Sequence, residues 1–239
     1  MKEFIKNLIK LSPIPLTKNH KYDLLTKKIF RKVLTEKSNC IDVGCHKGEI
    51  MDILLQMAPS GSHHGIEAIP AMAVALEKKY NPKPNVRIHN IAASYEKGVT
   101  EFNHVVSNPA YSGIKKRDYD REGEQDEKIQ VQTDLLDSVI PSDLPIQLIK
   151  IDVEGAEMLV LNGATRIMKD HQPTVVFEFG LGASDHYGTK PEDIYNYFKK
   201  YNMGIYQLAE FIHDKEAMSL AYFSEQYYNK SEYYFVASK

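Results

Sequence analysis

The sequence predicts an α/β fold: a mostly parallel sheet with helices on both faces. Three observations carry that expectation. From residue 39 onward, short apolar runs alternate with segments of helical period, the order in which parallel strands and their crossover helices follow one another. The first such run, Cys40-Ile41-Asp42-Val43, passes into a glycine turn and then a helical face. The chain has 239 residues, 43% of them hydrophobic and 26% charged, enough to bury a sizeable core.

Taken in order, residues 1–37 form an N-terminal helical extension, with ten Lys/Arg against three Asp/Glu. Phe4, Ile5, Leu8 and Ile9 share one side of a short helix that ends before Ser12-Pro13-Ile14-Pro15. Tyr22, Leu25, Ile29 and Val33 recur at helical spacing over about 21–35. The segment reads as helices docked on the domain with their lysines in water. Weak contact with an anionic membrane surface is the functional alternative.

The Rossmann-like domain then runs over 38–239. After Cys40–Val43, Ile50, Ile53, Leu54 and Met57 mark a helix. Gly65-Ile66-Glu67 ends a second strand, and a helix follows through Met72, Ala75 and Leu76. His63-His64 reads as the turn before that strand. Val86–Ala92 is a third strand. Ile146–Asp152 is a fourth, leading into a helix with Leu159, Gly163 and Ile167 inward, and Thr174–Phe179 is a fifth. Pro191 suits the first position of a helix whose apolar side is Ile194, Tyr197, Phe198 and Tyr201. Ile205–Leu208 and Tyr233–Ala237 close the series. An insertion at about 99–133 interrupts it, with strands near Phe102–Val106 and Ile129–Thr133. Between them, 11 of the 22 residues from Ser107 to Lys128 are charged. So long a loop suits a lid over a ligand crevice, or a solvated insertion.

Composition excludes several classes. Lys+Arg total 30 against Asp+Glu 32, so no charge excess points to nucleic acid. No apolar run reaches the ~18–20 residues that span a bilayer. Cys40 and Cys45 make no disulfide framework, and their spacing does not suit a zinc knuckle. Lys6 and Lys10 interrupt any signal-peptide core, so a reducing, cytoplasmic compartment is the expectation.

Parallel sheets of this kind bind ligands outside the carboxyl ends of their strands, which directs attention to three places. The first is the turn Asp42-Val43-Gly44-Cys45-His46-Lys47-Gly48. It is neither the dinucleotide fingerprint, which needs a middle glycine, nor a P-loop, since Gly48-Glu49 stand where Ser or Thr would follow the lysine. A glycine turn without phosphate-binding features suits a nucleoside ligand such as S-adenosylmethionine, contacted by Gly44, Cys45, His46 and Gly48. Asp42 either orders this turn or approaches the methionine ammonium. The second place is Glu67, whose carboxylate can accept both ribose hydroxyls, with Asn90 and Ala92 flanking the adenine. The third is Lys150-Ile151-Asp152-Val153-Glu154-Gly155-Ala156-Glu157. Charges ending a buried strand are costly unless paired or functional. Lys150 and Asp152 fall on one face by the period of two. Glu154 and Glu157 lie near a helix N-terminus, where a negative charge gains ~0.3–1 kcal/mol, so capping is the plain alternative for Glu154.

These residues together resemble the FkbM family of S-adenosylmethionine-dependent methyltransferases. Besides the segments above, the likeness rests on Asn90-Ile91-Ala92-Ala93-Ser94, Thr133-Asp134-Leu135-Leu136-Asp137, Leu161-Asn162-Gly163-Ala164 and Phe177-Glu178-Phe179. It covers roughly Cys40 to Phe179, with Cys45-His46 standing where the family usually has Ala-Asn. The resemblance implies a class I methyltransferase sheet of seven strands whose last, Tyr233–Ala237, is antiparallel. It also implies O-methylation of sugars or other hydroxylated natural products, with a small-molecule or glycan acceptor.

For that reaction Asp152 is the expected general base, with Lys150 or Glu154 tuning or orienting it. His104 and Glu178 stand in reserve, each near a strand end, and Glu178, Tyr111 and Ser112 are candidates for acceptor contact. Asp152, Glu178 and a histidine could also present ligands to Mg²⁺ or Mn²⁺, although no spacing requires a metal. Tyr227, Tyr228, Tyr233 and Tyr234 read as strand and surface residues. The competing readings are a nicotinamide-dependent oxidoreductase, opposed by the absent middle glycine, and an inactive nucleoside-binding protein, opposed by Asp152 and Glu67.

Overall fold

The structure, a computed structural model, describes residues 14–119 and 122–239. The short helix expected around Phe4–Ile9 lies outside these residues. Seven strands form the main sheet: β1 (Cys40–Val43), β2 (His63–Ile66), β3 (Val86–His89), β7 (Leu148–Ile151), β8 (Thr174–Glu178), β9 (Gly204–Gln207) and β10 (Tyr234–Ser238). Their order is β3-β2-β1-β7-β8-β10-β9. β10 runs antiparallel to both neighbours, while the other adjacent pairs of this sheet are parallel. This is the class I methyltransferase-like arrangement that the resemblance implied.

The period of two divides the core into two layers. Ile41, Val43, Ile149, Ile151, Val175 and Phe177 face one side. There they meet Val160 of α5 (Glu157–Asn162), Ile167 of α6 (Thr165–His171), Ile194 of α7 (Pro191–Lys200) and Phe223 of α9 (Leu220–Tyr228). Cys40, Leu148, Val176 and Val236 face the other. They pack on α1 (Lys18–Val33) through Tyr22, Ile29 and Phe30, on α2 (Glu49–Met57) through Leu54, and on α8 (Leu208–Ile212) through Leu208. Helices α3 (Pro70–Tyr80) and α4 (Leu136–Val139) complete the set.

α1 begins at Thr17, whose hydroxyl accepts from the His20 amide at 3.1 Å, a standard N-cap. Two of its exposed lysines also bond to the domain. Lys18 reaches the carbonyls of Lys230 and Ser231, and Lys32 reaches those of Phe211 and Ile212, where α8 ends. No helix among the described residues is long and apolar enough to cross a membrane.

Three expectations change. Val86–Ala92 is not one strand, because the chain turns at Asn90, whose amide donates to the carbonyls of Glu67 and Ala68. Ala92–Ala93 (β4) then joins a second sheet, β4-β6-β5, with β5 (Gly98–Val105) and β6 (Asp126–Asp134). The insertion is thus a long hairpin paired from Gly98↔Thr133 to Val105↔Asp126. The helix after β7 is broken into α5 and α6 at Gly163. Finally, His63 and His64 are no turn but the buried start of β2. His63 Nε2 lies 2.8 Å from the Ala58 carbonyl, and His64 Nδ1 lies 3.0 Å from His89 Nε2.

Gly163 lets the α5–α6 junction pass against the end of β4, since a Cβ there would sit 2.0 Å from the Ser94 carbonyl oxygen. Gly163→Ala should therefore cost ~1–3 kcal/mol through overpacking, lowering Tm by roughly 3–10 °C. Thermal denaturation followed by circular dichroism checks this, and an unchanged Tm would mean the contact is not rigid.

Candidate active site

The carboxyl ends of β1, β2 and β7 open onto a cleft of about 600 Å³, its mouth included. The turn after β1 folds back through positive φ at Gly44 (+82°), His46 (+49°) and Gly48 (+78°). The amides of Gly44 and Cys45 both donate to the Ile66 carbonyl, at 3.0 Å each, tying this turn to β2. Gly44 also passes so close to the β7 loop that a Cβ would lie 1.9 Å from the Asp152 carbonyl oxygen. Only glycine serves here, on grounds of both space and φ.

Of the residues expected to meet a nucleoside, Gly44, His46, Glu67 and Ala92 line the cleft. Asp42, Cys45, Gly48 and Asn90 do not; they build the wall from behind. Asp42 is buried under the turn, and burial raises its pKa to about 6 against the pull of Lys150. Burial and the Asp42 carboxylate push the Cys45 thiol up. Gly48 caps α2 beneath the Tyr80 hydroxyl, which lies 2.8 Å from its carbonyl. Asn90 is spent on the carbonyls of Glu67 and Ala68.

Glu67 sits at the centre. Its Oε2 accepts from the His46 amide at 2.8 Å, and its Oε1 accepts from the Ile69 amide at 2.9 Å. Burial outweighs these bonds and raises its pKa to about 7. Each oxygen keeps a lone pair for a further donor, the arrangement a vicinal diol requires.

The other end of the cleft is acidic. Carboxylate oxygens of Asp152, Glu154 and Glu178 lie within 4.8 Å of one another. The sheet places them: Ile151 pairs with Phe177 and Glu178 with Tyr234, so Asp152, Glu178 and Tyr234 fall in one row on one face. Asp152 accepts hydrogen bonds from Lys150 Nζ at 3.1 Å and from the Tyr234 hydroxyl. Burial works against its charge, but Lys150 and the bonds from Glu178 and Tyr234 outweigh burial and hold its pKa below the usual value. Glu178 is pushed well up by burial and by Asp152, and it does not line the cleft. Lys150 likewise lies behind, 3% exposed.

Glu154 lines the cleft and does not cap the helix. It holds φ at +54° and pairs with Arg117 from the hairpin loop. Burial and Asp152 raise its pKa to about 8 against the pull of Arg117. Glu157, the first residue of α5, accepts from the Gly155 amide just before the helix at 3.0 Å, and burial raises it to about 7. The carboxylates are a hard oxygen set of the kind Mg²⁺ or Mn²⁺ takes, without a histidine. The Lys150 ammonium and the Arg117 guanidinium already hold positive charge against two of them.

From the insertion, Ser112 lines the cleft. Tyr111 does not: it stacks on Tyr119 at 6.1 Å, with the Arg117 guanidinium 5.0 Å from its centroid. His104 sits on the hairpin, 3.1 Å from Glu127, away from the cleft. Two participants were not foreseen: Tyr234 and Arg117. For Tyr234 the available signal was its place opposite Glu178, once β10 is paired with β8.

Glu67, Glu154 and Glu157 carry raised pKa values, so the folded chain keeps protons that the unfolded chain releases above about 4.5. Their contribution to stability is complete below that pH and is lost as pH rises through 7 to 8. Burial lowers His63, His64 and His89, which add stability as pH rises to about 6.5, so the Tm of the ligand-free protein should fall above about pH 6.5 toward pH 8; a rising Tm over that range would mean these glutamates fold ionised.

Comparison with known proteins gives a consistent result. The model of the methyltransferase FkbM domain matches residues 42–203. A methyltransferase FkbM from Methylobacillus flagellatus KT superposes with a TM-score of 0.54 and 15% identity, over 86% of this chain and 44% of that one. The chain thus spans less than half the length of that relative. Fibrillarin from Aeropyrum pernix, in complex with natively bound S-adenosyl-L-methionine, gives a TM-score of 0.45 and 11% identity, over 90% of this chain and 74% of that one. No curated protein matches. With most of the domain matched and the methyltransferase-like sheet in place, the chain belongs to the FkbM methyltransferase family.

Proposed function

We propose that this chain is an S-adenosylmethionine-dependent O-methyltransferase acting on a hydroxyl of a sugar, a glycan or a related natural product. One observation carries the reading: the Gly44 turn and Glu67 share a single cleft with Asp152 and Glu154. A nucleoside seat thus adjoins a pair of carboxylates. Membership of the FkbM family supports the same donor. When bound, S-adenosylmethionine supplies a methyl group on a positively charged sulfur.

The residues then have distinct tasks. Glu67 accepts the ribose hydroxyls, and the turn from Gly44 to His46 offers its backbone to the rest of the donor. Holding donor and acceptor in line can itself supply ~7–11 kcal/mol. An alcohol is a weak nucleophile at neutral pH, so loss of its proton must be assisted. Asp152, held ionised by Lys150 and Tyr234, accepts the hydroxyl hydrogen bond and orients it. Those donors also make it a poor base. Glu154, with a pKa of about 8, is better matched to take the proton, because general bases work best near the operating pH. The base role expected of Asp152 therefore passes to Glu154, with Asp152 as its positioning partner.

Calorimetry with S-adenosylhomocysteine tests the donor. Binding should be one to one and tighten as pH rises through about 7, because only the ionised Glu67 accepts from both ribose hydroxyls. The absence of any binding heat would end the reading. With an acceptor that the enzyme turns over, kcat/KM, which reports the unliganded enzyme, should rise with pH toward a plateau above about 8. Glu154→Gln should lower kcat by roughly 10²-fold or more and flatten that rise. A preserved pH profile in this variant would return the base role to Asp152.

A further inference from the structure

Helix α1 precedes the family match at residues 42–203, and its two faces are chemically opposite. Tyr22, Thr26, Ile29 and Phe30 are buried against the domain. At 3.6 residues per turn, Lys21, Leu24, Lys27, Lys28 and Arg31 fall on the other face. Asp23 is the only acid of the helix, against six Lys/Arg. Lys21 pairs with Glu232 at 3.6 Å, and Lys32 pairs with Asp214. Lys27, Lys28 and Arg31 enter no ion pair among the described residues. Just before the helix, Ile14 and Leu16 are 68% and 61% exposed. Two large apolar side chains thus stand in water at the head of a basic face.

Charge is also segregated over the molecule as a whole. Residues 1–37 carry ten Lys/Arg against three Asp/Glu, while 38–239 carry 20 against 29. An anionic surface therefore attracts α1 and repels the remainder, which favours one orientation. We infer that α1 docks this protein on an anionic lipid bilayer, with Ile14 and Leu16 entering the headgroup region and Lys27, Lys28 and Arg31 lying over it. The helix rests on the surface and does not sink into it, because its own apolar side is already packed on the domain. A polyanion such as RNA would satisfy the cations but offers Ile14 and Leu16 no apolar phase to enter, so the bilayer fits better. The head of the basic face adjoins the cleft as well. The Tyr22 ring lies 5.1 Å from that of Tyr234, whose hydroxyl donates to Asp152. Docking needs neither donor nor acceptor, so its test is separate from that of the proposed reaction.

The full chain is co-sedimented with vesicles of phosphatidylcholine alone and of phosphatidylcholine mixed with phosphatidylserine. Binding should require phosphatidylserine and weaken sharply between about 0.1 M and about 1 M salt, as the screening length falls from ~10 to ~3 Å. Each Lys or Arg near such a surface is worth roughly fivefold in affinity. Lys27→Gln/Lys28→Gln/Arg31→Gln should therefore bind roughly 100-fold more weakly, at an unchanged Tm. Ile14→Ser/Leu16→Ser should lose roughly tenfold on vesicles and nothing on heparin, the polyanion control. Indifference to phosphatidylserine overturns the inference, as does triple-variant binding within twofold of wild type. An Ile14→Ser/Leu16→Ser protein that holds vesicles as tightly as wild type also overturns it, and assigns the basic face to a polyanion.

Discussion

The backbone contact between Gly44 and the Asp152 carbonyl holds the two halves of the cleft together. The Asp152 amide donates to the Val43 carbonyl at 3.0 Å, continuing the ladder between β1 and β7. The carbonyl of the same residue lies where a Gly44 side chain would begin. A nucleoside seat organised by β1 and β2 and a carboxylate carried by β7 are thereby held side by side. Neither loop can shift without breaking the ladder, so spacing across the cleft is set by strand geometry rather than by loop mobility. Preorganisation of this kind is what an in-line displacement needs most.

Around that contact the electrostatics are arranged in opposition. Asp152 and Glu154 are two residues apart, yet their surroundings drive them in opposite directions. Lys150 and the Tyr234 hydroxyl hold the first ionised, while burial beside that charge keeps a proton on the second. Lys150 is also the register partner of Asp42 on the same face, so one buried ammonium serves two carboxylates. Removing it would leave both charges uncompensated, the costly case for buried ions.

Much of this was legible in the sequence because local pattern and local function coincide. The glycine turn, the acid ending β2 and the charged end of β7 are each contiguous, and each sits where strand polarity says a ligand should be. What escaped depends on distant pairings. Tyr234 has no distinguishing neighbours in sequence; it matters because β10 returns antiparallel beside β8 and sets it across from Glu178. Arg117 is hidden in the charged run Lys115-Lys116-Arg117-Asp118, and only the folded hairpin shows which of these reaches Glu154. The hairpin itself was read too short because β5 is half exposed, with polar Thr100, Glu101 and Asn103 diluting its pattern. The break at Asn90 came from a side chain satisfying two backbone carbonyls, which no apolar periodicity can report.

The alternation along β7 has a bearing on assembly as well as on chemistry. Ile149 and Ile151 lie in one apolar layer, while Lys150 and Asp152 point the other way into a partnered polar row. A slip of one residue would exchange the two sets, driving an ammonium and a carboxylate into the packing around Val160 and Phe177. A pairing out of register therefore costs the burial of both charges, so the polar row beside the cleft also fixes the alignment of the sheet.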